Sequence, residues 1–366
     1  MYRVPRRRPY LKVLLVLLAL ALLAGAGYGI FRLVNRTPDL ASEAVLLPGS
    51  DTDGGVYAWA DGVLCVDKRQ LICANTKGVT QWHTELPEEN MKAARQGDLT
   101  VAWGGTVVVV IDAEGQVLRT QTTTGDVVTV APGKNQYAVI TREDNQHRMR
   151  LYTLKSEDPA DEELFPYQSV IGVGFYGQDL GLLWVLYIDS HGTTPVTRLS
   201  TYGKMTTGIT LNGEVGYLAV PQTDATYLVG THTLTTWQKT GSERDSKLIY
   251  GWNLQDVLTD SSGNVSFLFA PSGGEGASEQ ISTLWYLSSN GSEYRIPLPA
   301  GCVRALLKDN NRLCLVTRNG LYSMALNGTG QRFFPLSFTV ESIPAVVPGK
   351  AMVLQTKHRN YLIPMP

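Results

Sequence analysis

The sequence predicts an all-β fold, an eight-bladed β-propeller of four-stranded antiparallel blades preceded by one transmembrane α-helix. Three observations predict it. From about Val45 onward no amphipathic helical period appears, only apolar or alternating runs of five to nine residues punctuated by Gly, Asn, Asp and Pro. Those runs come in sets, because a two-stranded hairpin about a polar turn recurs seven times, once in every 40 residues or so. Ahead of them lies one long uncharged stretch near the N-terminus.

In chain order, residues 1–12 form a basic tail with Arg3, Arg6, Arg7, Arg8 and Lys12, and 19 uncharged residues, 13–31, follow it. As a helix they rise about 28 Å, close to the hydrocarbon thickness of a bilayer. Only Arg32 and Arg36 lie closely beyond, so the positive-inside bias puts the N-terminus in the cytoplasm and the C-terminal domain outside. Ala24-Gly25-Ala26 resembles a signal-peptide cleavage site, the rival reading. The apolar stretch runs on through Tyr28, Ile30 and Phe31, which favours an anchor in the cell membrane. A linker, 32–42, joins the span to an extracytoplasmic domain over 43–366.

Within that domain the hairpins fall at 70–82 (QLICANTKGVTQW), 107–120, 150–167, 195–211, 233–249, 283–297 and 320–334. Two strand-like runs precede each, giving four-stranded units that bury their faces by stacking on neighbours. Residues 340–347, 351–356 and 360–364 supply three more strands, while 43–47 is an orphan strand at the other end. Pairing the orphan with those three closes the ring as an eighth blade and removes both exposed edges. A seven-bladed ring is the alternative, because 213–249 is poorly patterned. With 43–47 as an outer strand, the linker meets the face opposite the blade-to-blade connections, and the connection face looks away from the membrane. Ala93, Ala94, Gly172, Gly174, Gly216 and Ala219, in the first runs of their units, are expected to fit a crowded central channel.

Composition narrows the partners. Of 366 residues 18% are charged, and 36 Gly and 17 Tyr suit many short strands joined by tight turns. The 32 basic and 33 acidic residues leave the domain mildly acidic once the tail is set aside, which argues against nucleic acid. Cys65, Cys73, Cys302 and Cys314 form no CxxC pair and have no His at ligand spacing, so no metal is expected. A Cys65–Cys73 bridge across one hairpin is chemically permitted outside the cell; buried free thiols are the preferred reading.

The segment Ala74-Asn75-Thr76-Lys77-Gly78-Val79-Thr80-Gln81-Trp82 resembles the repeat of quinoprotein-like (PQQ-type) propellers, Ala-x-Asp/Asn followed by Gly-x-x-x-Trp. In that family the Trp docks one blade against the next. The second unit has Arg119 at the place of Trp82, so the pattern is degenerate. The whole layout is similar to a family of single-span, membrane-anchored degenerate propellers from clostridia-type bacteria, a resemblance that implies no particular activity.

Searching for chemistry yields little. Quinoprotein dehydrogenases hold their cofactor with adjacent cysteines, absent here, so no cofactor is expected. Asp51-Thr52-Asp53-Gly54-Gly55 begins like a calcium loop, but its twelfth position is Gly62, and a turn is the better reading. The run Glu157, Asp158, Asp161, Glu162 and Glu163 reads as a solvated loop. His83, His147, His191, His232 and His358 are scattered, and neither HExxH nor GxSxG occurs. Trp59, Trp103, Trp184, Trp252 and Trp285 read as packing between blades. Asn35, Asn264, Asn290 and Asn327 head Asn-x-Ser/Thr sites that read as turns. No catalytic, cofactor-binding or metal-binding residue is therefore assigned.

The expectation is a membrane-anchored, non-catalytic binding or scaffold protein of the cell envelope whose outward face takes an extracytoplasmic protein, a peptide or a wall component. Loops 142–148, 189–195 and 271–280 on that face are long, the last rich in Gly and Ser. One alternative is a hydrolase or lyase acting on extracellular glycan, marked by carboxylates converging over the channel. The other is a sensor working through a membrane partner, since a 12-residue tail is too short for a signalling domain.

Overall fold

A computed structural model describes residues 25, 40–48, 55–176, 181–189, 195–202, 208–238, 241–273 and 280–366. The predicted tail, the span 13–31 apart from Gly25, and most of the linker lie outside the described residues, as do 51–54, Asn35 and His191. Residues Leu40–Pro366 form one compact unit.

That unit is an eight-bladed propeller of four-stranded antiparallel sheets. Blades 1 to 7 take four consecutive strands each and span 56–85, 92–122, 126–165, 168–212, 216–248, 252–297 and 302–335. Blade 8 is Ser342–Val347, Ala351–Gln355 and Asn360–Pro364, completed by Val45–Leu46 from the start of the domain. Val45 pairs with Leu362 and Leu46 with Tyr361, so the ring is zipped by its two ends. Both edges of an open sheet are thereby removed.

Stacking explains the strand sequences. Second and third strands have neighbours on both faces and read as continuous apolar runs, such as Val107–Ile111 (VVVVI). Outer strands face solvent and read as polar, such as Glu243–Leu248 (ERDSKL), which is almost wholly exposed. Each fully buried Val, Leu or Phe contributes roughly 1.5–3 kcal/mol. Eight apolar clusters fill the seams between blades.

The cysteines show how register decides chemistry. Leu64 pairs with Cys73 and Cys65 with Ile72, so the two thiols project from opposite faces of blade 1. Cys65 packs against blade 8 and Cys73 against blade 2. All four thiols are free and buried, and burial pushes Cys65 and Cys314 up to about 12.

For two of the small inner-strand residues, Gly172 and Gly174, the structure gives a reason in the neighbouring strand. A Cβ on Gly174 would stand 2.7 Å from the Trp184 ring, and one on Gly172 would stand 3.3 Å from it. These glycines admit the Trp184 indole beside the sheet.

Two faces follow from the topology. Connections between blades and the turns between second and third strands share one face. They bond to each other there, as when the N–H of Leu86 donates to the Arg69 carbonyl and that of Ile249 to His232. The opposite face carries the remaining turns and receives the chain at Leu40–Glu43, a helical turn whose Leu40 is buried against Met365.

Candidate binding face

In six consecutive blades, 3 to 8, the inner strand is bulged near its start, whereas in blades 1 and 2 its register is unbroken. A bulge inserts an extra residue and re-aims its side chain. The extra residues in blades 4 to 6 are Ile171, Tyr217 and Gln255. Ile171 is 41% exposed and Tyr217 42%, although both lie on innermost strands. The connection-face half of the channel is thus lined in part by large apolar groups. The Tyr217 phenol reaches the Leu254 backbone of blade 6, and burial raises its pKa.

The same sector of the face extends outward. Tyr167, between blades 3 and 4, Leu248, at the end of the outer strand of blade 5, and Tyr250, between blades 5 and 6, are exposed, Tyr250 to 69%. The His232 ring, on the second turn of blade 5, stacks on Tyr250 with centroids 5.3 Å apart. Glu214 holds that turn: its buried carboxylate accepts the N–H groups of His232 at 2.7 Å and Thr233 at 3.0 Å, and the Thr233 hydroxyl. Farther round the ring, blade 7 carries a cavity of about 440 Å³ lined by Val303, Arg318, Asn319, Tyr322 and Phe333 among others.

Titratable groups serve the frame. Glu143 accepts hydrogen bonds from Thr124, Arg148 and Arg150 at 2.6, 3.0 and 2.7 Å, and Glu162 also pairs with both arginines. Burial pushes the Glu143 carboxyl up, but the Arg150, Thr124 and Thr141 donors outweigh it and hold the group at about 2. Asp256, midway along the inner strand of blade 6, accepts the Leu307 N–H of blade 7 at 2.7 Å. Burial lifts its pKa to about 6 against the lowering by the Leu307 and Val257 amides and Arg304. The other carboxylates on described inner strands, Asp126 and Asp309, stand at strand ends, Asp126 paired with Arg142 at 3.9 Å. Among the described residues no three His, Cys, Asp or Glu side chains are grouped to hold a metal ion.

The residues singled out in the sequence distribute as follows. Loop 142–148 is corrected: strands Gln136–Glu143 and Gln146–Thr153 run on to a two-residue turn, Asp144–Asn145, both with positive φ. Loops 189–195 and 271–280 belong to the connection face, with 190–194 and 274–279 outside the described residues. His147 Nδ1 accepts the Val170 N–H at 2.8 Å, linking blades 3 and 4. Trp82 lies on Gly115 of blade 2, where a Cβ would be 2.9 Å from the indole. Arg119 does the same work in blade 2 by donating to the Ser156 carbonyl of blade 3 at 2.6 Å. Trp252 and Trp285 meet edge-on at 5.4 Å with Arg295 over both rings at about 4 Å. The exposed group Ile171, Tyr217 and Tyr250 went unmarked in the sequence.

Comparison with solved structures agrees with this architecture. The WD40 domain of SCAP from fission yeast superposes with a TM-score of 0.59 at 10% identity, over 88% of this chain and 96% of that one. BamB from Moraxella catarrhalis gives 0.56 at 12% identity, over 88% and 96%. The Dos1 propeller gives 0.54 at 8% identity, over 88% and 94%. No family model matches the chain, and no curated protein matches it. At such identities the likeness is one of fold, and the class it defines is the β-propeller.

Proposed function

We propose that this chain is a membrane-anchored, extracytoplasmic scaffold of the cell envelope that binds a protein or peptide on its connection face, without catalysis of its own. The observation that carries the reading is the exposed group Tyr167, Ile171, Tyr217, Leu248 and Tyr250 on one sector of that face. Tyrosine offers a large rigid contact area with a polar end, and exposed aromatic and aliphatic side chains gathered on one sector suit an interaction site. The uncharged stretch 13–31 supports the anchor. Arrival of the chain at the opposite face supports an outward connection face. A glycan hydrolase would want paired carboxylates over the channel, and Asp256 is the central one on the described inner strands.

The test is photocrosslinking from Tyr250 in intact cells, followed by mass spectrometry. A discrete polypeptide partner that is lost in the double variant Tyr217→Ser, Tyr250→Ser is expected. Crosslinks confined to lipid, or a partner retained by that folded variant, would contradict the reading.

A further inference from the structure

We infer that the cavity in blade 7 is a binding site for a carboxylate carried on an apolar ring. Its volume of about 440 Å³ falls within the roughly 300–1,000 Å³ of small-molecule sites. It opens where the connection from blade 6, at Ala300 and Gly301, meets the turn between the second and third strands of blade 7.

One wall is apolar. The Tyr322 and Phe333 rings, on the third and outer strands, meet with centroids 4.7 Å apart. Phe333 is 42% exposed, so folding leaves part of its ring in solvent. Gly320 sets where that ring rests, because a Cβ there would stand 2.5 Å from it. Val303 is the extra residue of the blade 7 bulge, re-aimed by the device that exposes Ile171 and Tyr217.

The other wall is polar and carries one sign of charge. Arg318 and Asn319 form the turn, and among the described residues no carboxylate lines the cavity. That turn is fixed before any ligand arrives. The Thr317 hydroxyl donates to the Gly320 carbonyl at 2.8 Å, the Leu336 N–H to the Asn319 carbonyl at 3.0 Å, and the Val340 N–H to the Arg318 carbonyl at 2.8 Å. A site held in this way loses little conformational freedom on binding. Arg318 is engaged within the protein, yet its guanidinium has five N–H donors in a rigid fork, two of which suit one carboxylate. One cation balances a monoanion, which favours a carboxylate over a phosphate dianion. A ring against Phe333 with its carboxylate on Arg318 would use both walls. Two sources share that chemistry, a free aromatic acid and the C-terminal aromatic residue of a polypeptide.

The experiment titrates phenylacetate into the full-length, methyl-labelled chain in detergent and follows the Ala300 and Val303 methyl signals. Saturable shifts are expected. Phenylacetamide, which lacks the charge, and acetate, which lacks the ring, should each bind about tenfold more weakly or worse. Arg318→Met should weaken phenylacetate by a similar factor. Val303→Glu, which sets a carboxylate in the cavity, should do the same with Ala300 as reporter, and it decides the matter if Arg318→Met does not fold. Absence of saturable shifts, equal affinity for phenylacetamide, or undiminished affinity in folded Val303→Glu would each overturn the inference. An acetylated peptide ending in phenylalanine separates the sources: tighter binding than phenylacetate assigns the site to a polypeptide terminus, weaker binding to a free acid. The inference concerns blade 7 alone and does not depend on the partner proposed for the Tyr250 sector.

Discussion

The two faces of the ring are finished differently. On the opposite face neighbouring blades are tied by polar contacts. Lys350 Nζ donates to the Asp61 carboxylate at 2.6 Å and the Ala60 carbonyl at 2.9 Å. Asn310 reaches Asp260 at 2.5 Å, and Lys308 reaches the Met365 carbonyl at 2.7 Å. On the connection face, blades 4 to 6 leave Ile171, Tyr217 and Tyr250 in solvent. The contrast teaches that polar contacts tie the blades on both faces, His147 with Val170 on the connection face included, while the connection face of blades 4 to 6 adds large apolar groups left in solvent even on innermost strands.

Breaking that contrast begins where the chain joins the ring. Leu40→Ala removes a buried side chain on the opposite face and should cost about 2–4 kcal/mol in a denaturant titration of the full chain. A loss below 1 kcal/mol would mean that the helical turn is not part of the frame.

Asp256 sharpens the comparison in the seam between blades 6 and 7. Its folded pKa of about 6 exceeds the ordinary 3.8, so the fold prefers the neutral acid. The native chain keeps that contribution below pH 3.8 and loses it as pH rises through 6. Asp256→Asn, whose amide oxygen still accepts the Leu307 N–H, should therefore gain about 1–2 kcal/mol at pH 7.5 and nothing near pH 3.5. Equal effects at both pH values would refute an ionisation origin.

Smaller changes are expected from the surface. Lys350→Ala should cost less than about 1 kcal/mol, because both partners of the Lys350–Asp61 pair are half exposed. Tyr250→Ser, on the binding face, should leave stability within about 0.5 kcal/mol of the native chain while weakening partner capture. A large stability loss there would move Tyr250 into the frame and dissolve the difference between the faces.

Much of the frame was legible in the sequence because strand stacking writes itself into apolar runs. The seven hairpins are periodic features, the orphan strand read at 43–47 is observed as Val45–Leu46 after a helical turn that takes in Glu43, and the equivalence of Trp82 and Arg119 came with the resemblance to the quinoprotein-like repeat. Loop 142–148 misled because polar strand ends such as Glu143 and Arg148 look like loop until their ion pairs are seen. The binding face was illegible for a different reason. A bulge breaks the two-residue period at one position, so Tyr217 and Ile171 read as ordinary strand residues, though they end up exposed on innermost strands. Tyr250 sits in a short connection whose surroundings come from distant segments, His232 among them.

The most direct test of an outward connection face compares two cysteines at the ends of one strand, Val265–Pro271 of blade 6. Gly273→Cys lies on the connection face and Ser262→Cys on the opposite one. The four native thiols are buried and should stay silent. In intact cells a membrane-impermeant maleimide should label Gly273→Cys readily and Ser262→Cys more slowly. Labelling of Gly273→Cys only after permeabilisation, or slower than Ser262→Cys, would contradict the account.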